Sequence, residues 1–189
     1  GPVPMNVYTQ PGKHRFIRGN HDNLQRCFGE YGFIHDGHVE TYGDNKVMYV
    51  GGAYSIDKDM RTPGISWWDD EELSYSELFD MIDIYEKEKP DIMITHEVPE
   101  SVMDPVFSAD GRTFTKFNIP SRTRNAFDNM LAIHRPKVWI FGHWHRNARV
   151  NLDGTLFICL DCHNYIDMNM ETLEISPIKS MRNPFMDQG

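Results

Sequence analysis

The sequence predicts an α/β fold, a layered sandwich in which a mixed β-sheet is flanked by helices. Short apolar runs of strand length alternate along the chain with longer segments whose apolar residues recur at helical spacing, which is typical of such layers. Two pairs of strand candidates are joined by tight turns, at Gly43-Asp44-Asn45 and at Asp153-Gly154. Hairpins of this kind add antiparallel strands to an otherwise parallel sheet.

The amino-terminal half contains strand, helix and loop signals in that order. We predict a short strand over residues 14–18 and a helix over residues 23–31, capped by Asp22 or Asn23. A hairpin follows, with strands at 39–42 and 46–50. The next stretch is predicted to be a long ordered loop, because it contains a glycine pair and a Pro-Gly step between residues 51 and 68.

The carboxy-terminal half begins with the strongest helix signal. Leu78, Met81, Ile82 and Tyr85 share one face of a predicted helix over residues 75–88, and Pro90 follows it. The elements predicted after it are, in order, a strand at 91–95, a polar loop to about 118, a helix at 121–134, and strands at 138–141, 149–152, 155–160 and 172–176.

Length and charge limit the domain organisation. The chain has 189 residues, a length that fits one domain. Residues 1–4 precede Met5 and are interpreted as a remnant of an expression vector, so residues 5–189 are predicted to form a single domain. The net charge is −9, yet residues 112–149 contain eight Lys or Arg and one acid, Asp128. That stretch fits either an anionic substrate held locally or a solvated surface, and the sequence leaves both open.

Composition also argues against several classes of protein. Three cysteines are too few for a disulfide framework, and no apolar run is long enough to span a bilayer. The net negative charge of the whole chain argues against charge-driven binding to nucleic acid. We therefore expect a cytoplasmic protein without a membrane partner.

Three motifs each close a short apolar run. They are Gly-Asn-His-Asp at 19–22, Thr-His-Glu at 95–97 and Gly-His-Trp-His at 142–145. Ligand sites in open α/β sheets lie beyond the carboxyl ends of strands, where loops converge. Imidazoles and an amide oxygen brought together there suit a divalent transition metal. The three motifs together therefore predict a metal site, although each alone is a weak signal.

These motifs, in this order, resemble the calcineurin-like metallophosphoesterases, and in particular their small stand-alone bacterial and phage members. Gly-Gly-Ala-Tyr-Ser at 51–55, the Trp67-Trp68 pair and Thr-His-Glu-Val-Pro at 95–99 add to the likeness. It spans nearly the whole chain from residue 15 to about residue 165. The resemblance implies a metallophosphoesterase fold and metal-dependent hydrolysis of phosphate mono- or diesters, with nucleic acid entering only as a substrate.

The resemblance also implies a ligand set for one or two metal ions. Asn20, His96 and His143 would bind the second metal of the family's pair, and His145 the first. Manganese is the first candidate, with iron, zinc or nickel as alternatives, because Asn and His ligands suit them all. Two-metal sites of this kind stabilise both the attacking and the leaving oxygen of the phosphoryl group.

The remaining implied roles concern the substrate. His21 would protonate the leaving oxygen or stabilise the developing charge, and Asp22 would orient its ring. Arg146 and Arg149 follow the last motif and are candidates for contacts with phosphate oxygens. An equally simple interpretation makes these two arginines ordinary surface residues.

The sequence departs from the family pattern at its amino-terminal end. Asp-x-His and Gly-Asp-x-x-Asp, which carry the carboxylate ligands, are not found before Gly19, so we expect an N-terminally truncated fold. A missing central strand would leave an apolar sheet edge, which self-association, a separate N-terminal piece or a local rearrangement could cover. Self-association is the preferred expectation.

Residues 159–163 contain two further patterns. Asp161-Cys162-His163 has the Asp-x-His form, but the Gly-Asp-x-x-Asp that a circular permutant requires does not follow it. Cys159 and Cys162 form an isolated Cys-x-x-Cys on a predicted strand, where they would face opposite sides, so buried packing is favoured over zinc binding.

Two functions therefore compete. The first is a phosphate-ester hydrolase, complete or completed by a partner chain. The second is a degenerate relative that acts as a binding or inhibitory module. The intact motif residues favour the hydrolase, and the missing carboxylates favour the module.

Overall fold

A six-stranded mixed sheet forms the centre of the computed structural model of the chain, which describes residues 14–108 and 120–181. The strand order is β1-β2-β3-β4-β6-β5. The four central strands run parallel, and each edge strand pairs antiparallel with its neighbour. The predicted mixed sheet is thereby confirmed. The strands are β1 Val39–Tyr42, β2 Asn45–Val50, β3 Ile92–Thr95, β4 Val138–Phe141, β5 Ala148–Leu152 and β6 Thr155–Cys159.

The described residues also form four α-helices and one 3-10 turn. The best predicted is α2, Tyr75–Glu88, which begins at a capping box between Ser74 and Glu77 and ends where Lys89 turns left-handed ahead of Pro90. The helices are α1 Leu24–Cys27, α2 Tyr75–Glu88, α3 Glu100–Ser108 and α4 Arg122–Ile133, and the 3-10 turn is Lys58–Met60.

The two faces of the sheet bury different apolar sets, as the alternation of side chains along strands requires. One face carries Met48, Met93, Trp139 and Phe157, which pack with buried residues of α2, α3 and α4. The other face is covered by apolar side chains of residues 166–178. Its own residues are Val47, Tyr49, Ile92, Val138 and Ile158.

Four predicted elements differ from the structure. Residues 14–18 form no strand and make only an isolated bridge between Phe16 and Phe33. The first helix is short because Gly29 follows it and Gly32 adopts a φ of 85°. Part of the predicted polar loop is helix α3, and its continuation at 109–119 lies outside the described residues.

The predicted strand at 172–176 is the fourth difference. Within it only Ile175 bridges, to Met168. A two-stranded sheet lies beside that segment instead, with β7 at Asn164–Tyr165 and β8 at Lys179–Ser180.

The edges of the described sheet are β1 and β5, the outer strands of two hairpins. The exposed residues of these two strands are Thr41, Arg149 and Asn151, all of them polar, so the described sheet has no apolar edge of the kind expected from a missing strand. Self-association consequently stays a prediction. None of the described helices has the length and apolar character needed to cross a membrane.

Candidate metal centre

Three loops meet at one edge of the sheet, beyond the carboxyl ends of its parallel strands. His96 directly follows β3, and Gly142 with His143 follow β4. Asn20 reaches the same edge by another route, because the carbonyl of Arg18 accepts a hydrogen bond from Gly52 N (3.0 Å), just past β2. The structure therefore brings together the three strand-end motifs that the sequence singled out.

Arg18 fixes the segment that carries Asn20. Its side chain is 1% exposed, and its guanidinium donates to Asp36 Oδ2 (3.0 Å) and to the carbonyl of Asp70 (2.6 Å). A Cβ at Gly51 or Gly52 would come within 3 Å of Arg18 atoms. Only glycine lets the backbone wrap this closely around a buried guanidinium.

The amide oxygen of Asn20 lies between two imidazole rings. Asn20 Oδ1 is 3.0 Å from His96 Nε2 and 3.2 Å from His143 Nδ1. The other end of the amide donates from Nδ2 to Ser55 Oγ at 2.8 Å, and Ser55 in turn donates to Glu71. Because Nδ2 is engaged on the far side, the oxygen is held toward the two rings.

Both imidazoles are neutral at pH 7. Burial, together with nearby cationic and imidazole groups, lowers the pKa of His96 to about 4 and the pKa of His143 to about 3. A neutral imidazole keeps a nitrogen lone pair, which is the form that binds a metal.

A buried carboxylate lies behind His143. Glu97 is fully buried, and its Oε1 accepts hydrogen bonds from Val98 N (2.9 Å) and Trp144 Nε1 (2.8 Å). Its Oε2 has no hydrogen-bond partner and lies 3.8 Å from His143 Nε2 and 3.6 Å from Arg124 Nη1. Burial raises the pKa of Glu97 to about 7 despite Arg124. A metal-binding histidine commonly faces such a carboxylate through its other ring nitrogen.

The Gly-His-Trp-His turn contains two residues in a strained backbone conformation. His143 has a φ of 65° and His145 a φ of 49°, in the left-handed region that non-glycine residues seldom adopt. Trp144 N donates to the carbonyl of Gly142 at 2.7 Å. His143 and His145 therefore lie in a tight turn and not on an extended continuation of β4.

The side chain of His145 contacts Cys162, which is not part of the cluster formed by Asn20, His96 and His143 (the Asn20 cluster). Its Nδ1 is 3.6 Å from the sulfur of Cys162, and both side chains are exposed. Asp161 joins them, since the three ligand atoms lie within 4.8 Å of one another. The prediction of buried packing for the Cys-x-x-Cys pair is right for Cys159 and wrong for Cys162, because the chain leaves β6 before residue 162.

His21 and Asp22 lie at the rim of the site and are exposed. His21 Nδ1 is 2.9 Å from Arg61 Nη1, and Asp22 Oδ2 accepts a hydrogen bond from Gly19 N at 2.6 Å. Arg61 is itself held by Glu71 (Nη2 to Oε1, 2.8 Å). The ring contact of His21 is thus a guanidinium rather than the expected Asp22 carboxylate.

Arg146 and Arg149 contact groups outside the site. The Arg146 guanidinium lies 5.5 Å above the ring centroid of Phe107, and Arg149 Nη1 donates to the carbonyl of Ser176 at 3.0 Å. Neither lines the cavity that contains the site. Their contact with phosphate stays a prediction, while Arg61 is a guanidinium already at the rim.

Most of the described basic residues in the stretch 112–149 are paired with acids. Arg124 contacts Glu97 and Glu100, Arg135 contacts Asp153, and Lys137 contacts Asp91. Residues 112 and 116 lie outside the described part of the chain. The excess of positive charge in this stretch is therefore largely matched by acids elsewhere in the fold.

One cavity of about 650 Å³ contains all of the predicted metal and catalytic residues. A second cavity of about 470 Å³ shares His21 with it and is lined further by Asn23, Arg26, Ile65 and Trp68 among others. The walls of the larger cavity are formed by Gly19, Asn20, His21, Asp22, Ile56, Asp57, His96, His143, Trp144, His145, Leu160, Asp161 and Cys162.

A comparison with protein families gives the decisive observation. The family model for calcineurin-like phosphoesterases matches residues 4–147, which is more than half of the chain and includes all three motifs. The chain belongs to the calcineurin-like phosphoesterase family. No curated protein sequence matches it significantly.

Membership of the calcineurin-like phosphoesterase family gives a general chemistry, metal-dependent action on phosphate esters. The residues of this chain fit a divalent transition metal. Asn20, His96 and His143 offer one oxygen and two neutral nitrogens from three separate loops. Glu97 Oε2, which has no hydrogen-bond partner, lies 3.8 Å from His143 Nε2, the ring nitrogen on the side away from Asn20.

Sequence reasoning missed several residues of this calcineurin-like site. Ser55, Arg61 and Glu71 lie in or near the long loop after β2, which has no periodicity to mark them. Glu97 belongs to a motif that was recognised, and its position beside His96 was the available signal. Asp161 and Cys162 stood in the Asp-x-His pattern at 161–163, which was considered only as evidence for a permutant.

Proposed function

We propose that the chain is a metal-dependent hydrolase of phosphate mono- or diesters. One observation carries the proposal: Asn20 Oδ1 lies within 3.0 Å and 3.2 Å of imidazole nitrogens that belong to two other loops. These three groups, an amide oxygen and two neutral imidazoles, are suitable metal ligands. Metal binding would explain why they converge from three loops, whereas the fold shows no evident structural need for it.

Asn20, His96 and His143 would hold the ion, and a bound divalent cation would supply positive charge to the phosphate oxygens. Manganese is the first ion to test, with iron, zinc and nickel as alternatives. These three ligands are neutral, so a second ion requires anionic ligands from elsewhere. A partner chain is one source, and the half-buried Asp161 and the exposed Cys162 of this chain are another.

His21 would act on the leaving oxygen of the ester. A guanidinium has no acceptor, so its contact with His21 Nδ1 is a hydrogen bond from Arg61 to the ring. With Nδ1 accepting from Arg61, Nε2 is the ring nitrogen left to face the substrate. A hydrogen bond from Nε2–H to the oxygen that leaves phosphorus would stabilise the negative charge that develops there.

The cavity on the other side of His21 would take the organic part of the ester. Trp68 and Ile65 give it apolar walls, and Arg26 gives it a positive charge. A leaving group seated there would have its ester oxygen next to His21, which lines both cavities.

Hydrolysis of bis-p-nitrophenyl phosphate with added Mn²⁺ tests the proposal, with p-nitrophenyl phosphate as the monoester. We expect metal-dependent turnover that His143→Ala abolishes and that His21→Ala lowers by roughly 100-fold or more. His35→Ala is the matched control, because His35 is exposed and lies outside the cavity.

Calorimetry with Mn²⁺ separates the alternatives. Metal binding without turnover, at high protein concentration and with both esters, would support a binding or inhibitory module instead of a hydrolase. Absence of both binding and turnover would overturn the metal site itself.

A further inference from the structure

A second group of potential ligands lies beyond β4 and β6. These strands pair in parallel, with Phe141 opposite Cys159, so their carboxyl ends meet at the same edge of the sheet. The chain continues from β4 to His145 and from β6 to Asp161 and Cys162. An imidazole nitrogen, a carboxylate oxygen and a sulfur from these residues all lie within 4.8 Å of one another.

Local hydrogen bonds hold this group in place. Cys162 N donates to Asp161 Oδ1 at 2.7 Å, and Asp161 N donates to Asn147 Oδ1 at 2.9 Å. On the opposite side, the left-handed turn at His145 (φ 49°) brings its Nδ1 to 3.6 Å from Cys162 Sγ. Two loops thus bring three different donor atoms within 4.8 Å of one another.

We propose that His145, Asp161 and Cys162 form a second cation site, in the same cavity as the Asn20 cluster. Thiolate, imidazole and carboxylate together favour a borderline-soft transition metal such as Zn²⁺ or Co²⁺ over Mg²⁺ or Ca²⁺. The site binds metal through its own three ligands, so it does not depend on phosphate-ester hydrolysis.

The charge of this second set complements that of the first. Asp161 and a metal-bound Cys162 thiolate would contribute two negative charges to a bound ion, whereas Asn20, His96 and His143 would contribute none. Two divalent cations in one cavity repel each other, and anionic ligands offset that repulsion.

Cobalt spectroscopy tests the site directly. The protein is stripped of metal with a chelator and titrated with Co²⁺, and we expect a sulfur-to-cobalt charge-transfer band in the near ultraviolet. Cys162→Ser should abolish the band, and Asp161→Asn should weaken the cobalt affinity read from it by roughly tenfold or more. Cys27→Ala is the matched control, since Cys27 is buried and does not line the cavity.

Thiol labelling gives a second readout. Cys162 is the exposed cysteine, whereas Cys27 and Cys159 are buried. Burial raises the pKa of Cys27 to about 11 and that of Cys159 to about 12, which suppresses their reactive thiolates. A thiol reagent should therefore label Cys162 first, and Zn²⁺ should protect it in the wild type but not in His145→Ala.

The outcomes separate this site from the proposed hydrolase. His143→Ala should lose turnover and keep the sulfur–cobalt band. Turnover without any sulfur–cobalt band in the wild type would overturn the second site and leave the hydrolase standing. A band that depends on Cys162, in a protein without turnover, would support the second site and count against the hydrolase. A band that persists in Cys162→Ser would also overturn the site.

Discussion

Glu97 Oε2 lies 3.8 Å from His143 Nε2, while the other nitrogen of the same ring, Nδ1, lies 3.2 Å from Asn20 Oδ1. The ring is thus placed between a buried carboxylate on one side and the candidate metal position on the other. Glu97 does not line the cavity, so its influence on a bound ion passes through the histidine.

Replacing that carboxylate tests the relationship. We expect Glu97→Gln to weaken Mn²⁺ binding by roughly 10- to 100-fold, because the amide orients His143 less firmly and adds no negative charge. Isothermal titration calorimetry measures the affinity. Glu100→Gln is the control: Glu100 pairs with the same Arg124, so an equal loss of affinity there would assign the effect to Arg124 instead.

Gly19 tests how closely the backbone must approach His96. A Cβ at this position would lie 3.1 Å from His96 Cε1 and 3.3 Å from its Nε2. We expect Gly19→Ala to displace the ring and to reduce Mn²⁺ affinity by roughly tenfold or more. In Gly29→Ala the new Cβ meets only Arg26 O at 3.6 Å, an ordinary contact, so its affinity should equal that of the wild type.

The pH dependence of stability tests the Glu40 network, which ties the segment before Asn20 to β1. Burial acts to raise the pKa of Glu40, but hydrogen bonds from Arg15, His38 and Tyr42 outweigh it and lower the pKa to about 2. A carboxyl whose pKa is lower in the folded than in the unfolded state stabilises the fold above its unfolded pKa, near 4.3. That stability is lost as the pH falls toward 2.

Glu40→Gln should therefore lower the free energy of unfolding by about 1 kcal/mol at pH 7. The difference between wild type and variant should shrink from about pH 4 downward, as urea unfolding at a series of pH values measures. A constant difference down to pH 2 would count against the network. Glu86→Gln, at an exposed position of α2, should change the pH 7 value by less than about 0.5 kcal/mol.

Core packing on the face of the sheet that contacts α2, α3 and α4 gives a prediction about stability alone. Phe127 is fully buried in α4, and its ring centroid lies 5.4 Å from that of Trp139 on β4. We expect Phe127→Ala to lower the free energy of unfolding by about 3–5 kcal/mol. Phe79→Ala on α2 should change it by less than about 0.5 kcal/mol, because Phe79 is 65% exposed. Urea denaturation compares the two.

The sequence predicted best the elements whose signals are local. Helix α2 has both helical periodicity and a capping box, and its predicted bounds match the structure. Helix α3 was missed because Pro105 and the polar residues around it resemble a loop. Val102, Met103, Val106 and Phe107 recur at helical spacing and are all buried, so the pattern for a helix was present.

The same contrast holds in the site. Asn20, His96 and His143 were predicted to share an ion because each closes a strand-like run, and their atoms do meet. Glu71 and Arg61 were not predicted, since their places depend on how the loop after β2 folds back over Asn20. Local patterns can mark a ligand, but the groups that orient it come from distant parts of the chain.

Arg18 has a consequence for the order in which the molecule assembles. The partners of its guanidinium and carbonyl come from residues 36, 52, 70 and 71, all of them 18 or more positions away in the chain. Closing such loops lowers the entropy of the chain before the contacts can form and stabilise the fold. Non-local contacts therefore slow folding. The metal centre should therefore be completed late on the folding pathway, and a metal ion added during refolding should slow unfolding more than it speeds folding.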